Sequence, residues 1–232
     1  MLIKDTLEIE KALEQRDLSA LEPYLTAQPR KINTTQLYRS PLMLSAHNLK
    51  HLNKIPQLQT DAVILNLEDG VSKEMKPFAL RLTMLTLNAL TQSDKKIIVR
   101  VNPLDEGGAE EIEALNPYRA DAIRVPKIKT VDDVKRALAL CCKETELHLS
   151  IETKEAWLNL KELRVDKRVS AFYLGILDLF ADMSLSQELI TPSNPLIHQL
   201  LAEFLLTTKA LGVKPISFVF QEYKMKRALH HG

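Results

Sequence analysis

The sequence predicts an α/β fold in which a parallel sheet curls toward a (β/α) barrel with helices outside. Three observations support it. Strand-like and helix-like segments alternate through most of the 232 residues, as βα units require. Strands such as AVILNL and AFYLGIL are apolar on both faces, which suits a sheet covered by helices better than one facing water. Six strand-like segments end in polar or charged residues, and ligand sites of parallel sheets assemble at the carboxyl ends of the strands.

The length fits one large domain, and 45% hydrophobic residues can fill its core. The 31 basic and 30 acidic side chains nearly cancel, so no global field draws the protein to nucleic acid or to a membrane surface. A small-molecule partner is expected instead. Residues 1–20 mix charges throughout, and nowhere is there an apolar run long enough to span a bilayer, so a soluble, cytoplasmic protein is expected. The two cysteines, Cys141 and Cys142, are adjacent in a helix-like run and read as free thiols, not as a disulfide or metal pair.

Residues 2–25 repeat apolar positions at helical spacing and form an N-terminal helical extension, taken here as 1–37, ahead of a barrel-like domain over 38–232. Pro29 and the polar stretch after it break the pattern. Strands are then predicted at 42–45, 62–68, 96–102, 122–127, 147–153, 171–180 and 215–220. Helix-like runs fall at 48–58, 73–91, 108–116, 130–143, 154–163 and 194–211. Thr130 with Asp133 has the shape of a capping box, Asn194-Pro195 offers an N-cap and first-turn proline, and Gly212 stands where a helix stops. A closed barrel needs eight strands and the sequence shows seven. The apolar face of 2–25 is therefore expected to cover the gap between the first and last strands, to cover the barrel floor, or to dock on a second subunit.

The chemistry concentrates at the strand ends. Asn66 and Glu68 alternate to one side of the second strand, while Asp69 and Gly70 begin the loop; a strand cap followed by a glycine turn explains the same residues. Arg100 closes the third strand, where its planar fork can meet a substrate carboxylate or form a salt bridge with Glu68 or Glu152. Arg124 and Lys127 cannot both point inward, and Lys127 is read as a supporting residue at most. Glu152 closes the fifth strand, and Asp178 follows AFYLGIL on the next. Neighbouring strands lie about 4.8 Å apart, so these two carboxylates can share one Mg2+, unless each merely caps a helix. The six histidines show no metal-ligand spacing, although His47, after the first strand, can still face the site.

Taken in order, Arg39-Ser40, Leu67-Glu68-Asp69, Arg100-Val101-Asn102, Val125-Pro126-Lys127, Ile151-Glu152-Thr153 and Leu174-Gly175-Ile176-Leu177-Asp178-Leu179 resemble the citrate lyase β-subunit-like group of the HpcH/HpaI aldolase family. The resemblance implies a TIM-barrel-like (β/α) fold, here lacking the last strand and the C-terminal lid. It also implies a Mg2+ cofactor held by Glu152 and Asp178, a substrate-binding Arg100 with Arg39 ahead of the first strand, and catalytic acids Glu68 and Asp69 beside the metal. Three departures stand out: Ser45-Ala46 replaces the family's Pro-Gly, Leu177 replaces a Glu, and no Gly follows Glu152 in KEAWL.

The expected activity is that of a carbon–carbon lyase or aldolase acting on a 2-oxo or 3-hydroxy acid, free or as an acyl-CoA thioester, in a homo-oligomer. The alternatives are a non-catalytic binding or regulatory homologue that keeps the metal and anion pocket, and a structural partner within a larger lyase complex.

Overall fold

The computed structural model describes residues 2–3, 5–35 and 39–217. Seven strands form one sheet in chain order: β1 (Leu42–Ser45), β2 (Ala62–Asn66), β3 (Lys96–Arg100), β4 (Ala122–Val125), β5 (Glu146–Ile151), β6 (Val169–Leu174) and β7 (Lys214–Ile216). Every neighbouring pair is parallel. The helices are α1 (Thr6–Glu14), α2 (Leu49–Leu52), α3 (Lys76–Ala89), α4 (Gly108–Leu115), α5 (Val131–Leu140), α6 (Lys154–Leu158), α7 (Ile176–Asp182) and α8 (Pro195–Ala210). Among the described residues β1 and β7 do not pair, so the sheet is a curled half-barrel with an open side.

The doubly apolar strands are buried on both faces, as their sequence requires. Val63, Leu65, Ile97, Val99, Leu147 and Leu149 pack outward against the helices. Ala62, Ile64, Ile98, Ala122, Ala171 and Tyr173 form a second, inner cluster whose alanines leave room for the curl. The rest of the inner face is polar. Lys96 and Glu146 are paired at 2.7 Å near the floor, and His148, fully buried above them, lies 3.5 Å from Glu146 and 3.3 Å from the Tyr173 hydroxyl. Burial holds the His148 pKa below its ordinary value, favouring the neutral ring.

The caps read from sequence are present. Thr130 and Asp133 bond reciprocally at the start of α5, Asn194 caps α8 ahead of Pro195, and Gly212 takes φ 66° just past that helix.

Several expected boundaries move. The run AFYLGILDLF is apolar throughout and suggested a strand over 171–180, but β6 ends at Leu174 and Gly175 begins α7. Asp178 therefore sits in the first turn of a helix, not at a strand end. The helix expected at 154–163 stops at Leu158, and Leu160 and Leu163 continue the apolar pattern by packing into the core from turns. The 48–58 and 73–91 runs each combine an α-helix with a 3-10 turn, and α5 ends before Cys141, which is buried as a free thiol. Of the seventh expected strand only Lys214–Ile216 is strand, and 218–220 lie outside the described residues.

Residues 2–25 pack beside α2 and α3, and it is the stretch after them that reaches the floor. Of residues 2–25 only α1 is α-helical, followed by a 3-10 turn over Ser19–Tyr24. Ile9 and Leu21 are fully buried, and Asn88 of α3 accepts from the Gln28 N–H and donates to the Thr26 carbonyl, both at 2.9 Å. The chain then passes beneath β3 and β4 as a strap. Arg30 pairs with Asp121 at 2.9 Å; the same carboxylate accepts from the backbone of Asn33 and of Ile97, each at 2.6 Å, and Lys96 donates to Thr35 O at 2.9 Å.

Candidate active site at the carboxyl ends of the strands

Parallel register decides which side chains meet. Asn66 lies opposite Arg100, and Arg100 opposite Arg124, so residues on three successive strands point into the curl at one level. A cavity of about 650 Å³ opens above them, lined by Arg39, Asp69, Arg100, Arg124, Glu152, Tyr173 and Asp178 among others. It reaches the unpaired side between β1 and β7, where Met43 and Ile216 also line it.

Arg100 is the hub. Its Nη2 is ion-paired with Glu68 Oε2, lies 3.3 Å from Glu152 Oε1 and 3.6 Å from Asp69 Oδ2. Glu68 and Glu152 are both buried, whereas the Asp69 side chain is 71% exposed at the rim. The salt-bridge role considered for Arg100 is thus present with both acids, and it leaves the guanidinium on the wall of the cavity.

Glu152 is fixed on every side. Its Oε2 accepts the Lys127 backbone N–H at 3.3 Å, and Lys127 turns that N–H inward by adopting φ 51°. The Lys127 side chain is exposed, so this residue supports the site through its backbone and is not the desolvated amine that Schiff-base chemistry needs. Gly175, just past the end of β6, presses from the neighbouring unit: a Cβ there would stand 2.3 Å from Glu152 Cγ. Only glycine leaves space for this carboxylate, which accounts for a glycine within an otherwise bulky apolar run.

The Leu67–Glu68 turn is braced from outside by Lys76 of α3, whose ammonium donates to Leu67 O at 3.1 Å and to Glu68 O at 3.3 Å. Asn102 joins the same brace, donating from its side chain to Leu67 O and through its backbone to Glu111. Neither Lys76 nor Glu111 stood out in the sequence, since each lies on a helix among other charges. Arg39 lines the cavity as an exposed residue whose backbone N–H donates to Asp61. The His47 ring is within 2.9 Å of Ser45 Oγ and is not among the groups lining the cavity.

Glu152 and Asp178 line the same cavity despite the altered position of Asp178. Among the described residues no group of three or more His, Cys, Asp or Glu side chains forms a metal cage. The donor set suits a hard cation that accepts one or two carboxylates and completes its shell with water and substrate oxygens. Glu68 Oε1 adds to this fit, being buried with no hydrogen-bond partner among the described residues.

Burial pushes the Glu68 carboxyl up to about 7; Arg100 opposes this, while Asp69 and Glu152 add to it. A carboxyl whose pKa is raised on folding binds a proton more tightly in the native state, so its contribution is full below the ordinary value and is lost as pH climbs through about 7. In metal-free buffer, melting temperature should fall between pH 5 and 8, with the loss from this group on the order of 3 kcal/mol. Glu68→Gln should flatten that slope. A wild type and a Glu68→Gln protein with parallel pH–stability curves would show that Glu68 does not titrate in this window.

The sequence that carries these strand ends matches a known family. Residues 39–231 fit the model of the HpcH/HpaI aldolase/citrate lyase family. The chain belongs to that family. A (3S)-malyl-CoA thioesterase of Cereibacter sphaeroides is 30% identical over 193 residues, covering 83% of this chain and 66% of that protein. The mitochondrial citramalyl-CoA lyase of Homo sapiens is 26% identical over 205 residues, covering 80% of this chain and 60% of that protein. The chain thus spans 60–66% of the length of these relatives. The citrate lyase β subunit of M. tuberculosis, solved with oxaloacetate and magnesium, superposes with a TM-score of 0.66 at 21% identity, over 89% of this chain and 85% of that one. This likeness establishes the TIM-barrel-like fold of a family member. No helix among the described residues is long and apolar enough to cross a membrane.

Proposed function

We propose that this HpcH/HpaI family member is a Mg2+-dependent carbon–carbon lyase acting on a 2-oxo or 3-hydroxy acid, taken free or as its acyl-CoA thioester. The observation that carries the reading is Arg100, held between buried Glu68 and Glu152 on the wall of a cavity that Asp178 also lines. Magnesium in the M. tuberculosis relative and acyl-CoA in the names of the thioesterase and lyase relatives support the cofactor and the substrate class.

Glu152 and Asp178 would hold the ion. When bound, Mg2+ supplies positive charge that polarises a carbonyl and favours a developing oxyanion. Arg100 presents a planar fork to a substrate carboxylate or carbonyl oxygen, prealigned by Glu68 and Glu152, so little reorganisation is needed during reaction. Glu68, with a proton affinity near neutrality, is the group best matched to hold or accept a proton beside that oxygen. Asp69 stands at the exposed rim, 3.6 Å from the same guanidinium, and adds negative charge that helps to orient it.

A second reading, thioester hydrolysis, is favoured by the thioesterase relative, which shares 30% identity with this chain. A screen of short acyl-CoA thioesters with Mg2+ separates the two: a lyase releases a 2-oxo acid with a shorter thioester, and a hydrolase releases free CoA thiol. Arg100→Lys should lower kcat/KM by about 100-fold in either case, because a lysine cannot reproduce the fork. Ligand binding without turnover would assign the chain to a binding or regulatory role, and unchanged kinetics in Arg100→Lys would remove Arg100 from the site.

A further inference from the structure

We propose that Arg124 is a second anion-recognising group of this cavity and that, together with Arg100, it selects substrates carrying two carboxylates over otherwise identical monocarboxylates. This rests on the reading of the cavity as an acid-binding site, and it names the class of acid.

Arg124 projects from β4 directly opposite Arg100 on β3, so two guanidinium groups share one wall. Two like charges projecting side by side from adjacent strands, whose backbones lie roughly 4.8 Å apart, are costly unless something requires both. The protein holds Arg124 with care from behind. Its Nε donates to Ser150 Oγ at 2.9 Å, and its guanidinium carbon lies 4.1 Å from the centre of the Tyr173 ring, in cation–π contact. Its front is only loosely engaged. The terminal nitrogens make no hydrogen bond among the described residues, and the nearest carboxylate oxygen, Glu152 Oε1, is 3.7 Å from Nη2.

Arg124, 7% exposed, fixed in orientation and turned to the cavity with only the distant Glu152 as its counterion, is prepared for an anionic ligand group at closer range. Burial and the neighbouring Arg100 lower its pKa to about 10, which leaves it charged at neutral pH. Arg100 already shares its Nη2 among Glu68, Asp69 and Glu152, so one anionic ligand group for each guanidinium is the economical occupancy. Side chains from neighbouring strands suit a four-carbon dicarboxylate, whose terminal carbons are on the order of 4 Å apart across three C–C bonds of ~1.5 Å.

The test is calorimetry with malate and lactate, two 2-hydroxy acids that differ by one carboxylate, on the full chain with Mg2+ present. Wild type should bind malate at least tenfold more tightly than lactate. Arg124→Met should lose at least tenfold in malate affinity with lactate unchanged, bringing the two within about twofold. Arg124→Lys should recover part of the preference, because the charge returns without the fork. If Arg124→Met does not fold, Arg124→Lys and Ser150→Ala give the same readout, and in both the ratio must fall. Equal affinities in wild type, or a preference that survives in the Arg124 variants, overturn the proposal and leave the lyase reading intact. A preference that depends on Arg124 but not on Arg100 supports it while removing Arg100 from the site, and a wild type that binds neither acid overturns both.

Discussion

Glu152→Ala is expected to abolish Mg2+ binding and to destabilise the fold at the same time, whereas Asp178→Ala should abolish binding alone. The difference follows from what each carboxylate does in the unliganded protein. Glu152 is 3% exposed and is the anion nearest to both Arg100 and Arg124. Without it, two buried guanidinium groups face each other with Glu68 and the exposed Asp69 left to offset them, and breaking a buried pair in this way costs about 3–5 kcal/mol. In a domain of this size that corresponds to a fall of roughly 10 °C in melting temperature. Asp178 is exposed in the first turn of α7 and pairs with no buried cation among the described residues. Calorimetry should show at least a 100-fold loss of Mg2+ affinity for both variants, and thermal melts without metal should show a large shift for Glu152→Ala only. Equal melting temperatures for the two variants would contradict the role of Glu152 as counterion, and wild-type Mg2+ affinity in either would remove that residue from the metal site.

Arg30→Ala should be as damaging, at the opposite end of the molecule. Arg30 is 1% exposed and Asp121 is fully buried, and their 2.9 Å pair ties the strap to the start of β4. Burial already raises the Asp121 pKa despite Arg30 and two backbone donors, so removing the cation strands a carboxylate that is poorly solvated. A loss of about 3–5 kcal/mol is expected, partly recovered as pH falls and the stranded carboxyl takes up a proton. Because the strap and the cavity lie at opposite ends of the strands, Mg2+ affinity of the folded fraction should be unchanged. A melting temperature within 2 °C or so of wild type would show that the strap is held by its apolar contacts alone.

How much was legible in the sequence depended on whether the information was local. Arg100 and Glu152 could be found because a charge that ends a short apolar strand has one plausible place to go. Asp178 was placed on the correct side of the fold but on the wrong element, since nothing in AFYLGILDLF apart from Gly175 marks the passage from strand to helix. That glycine was visible, yet its reason was not: it makes room for a side chain from the neighbouring strand. Arg124 was left undecided against Lys127 because alternation fixes relative facing only, and the absolute register comes from Arg100 across the ladder. The Arg30–Asp121 tie was beyond reach, as no pattern links two single charges in different segments before the sheet is assembled.

That tie also dictates an order of events during synthesis. Asn33 must wait through 88 residues of further translation before Asp121 exists to receive it. The contact with α3, through Gln28 and Asn88, becomes available after 60 residues, so the nascent segment docks on that helix first and on the floor of β3 and β4 later. In the interval Ile9 and Leu21 have no finished core to enter, and such transient apolar exposure is what chaperones bind and what aggregation exploits. Closing so long a loop adds entropy cost ahead of any reward, so the strap can dock only after the start of β4 has been made.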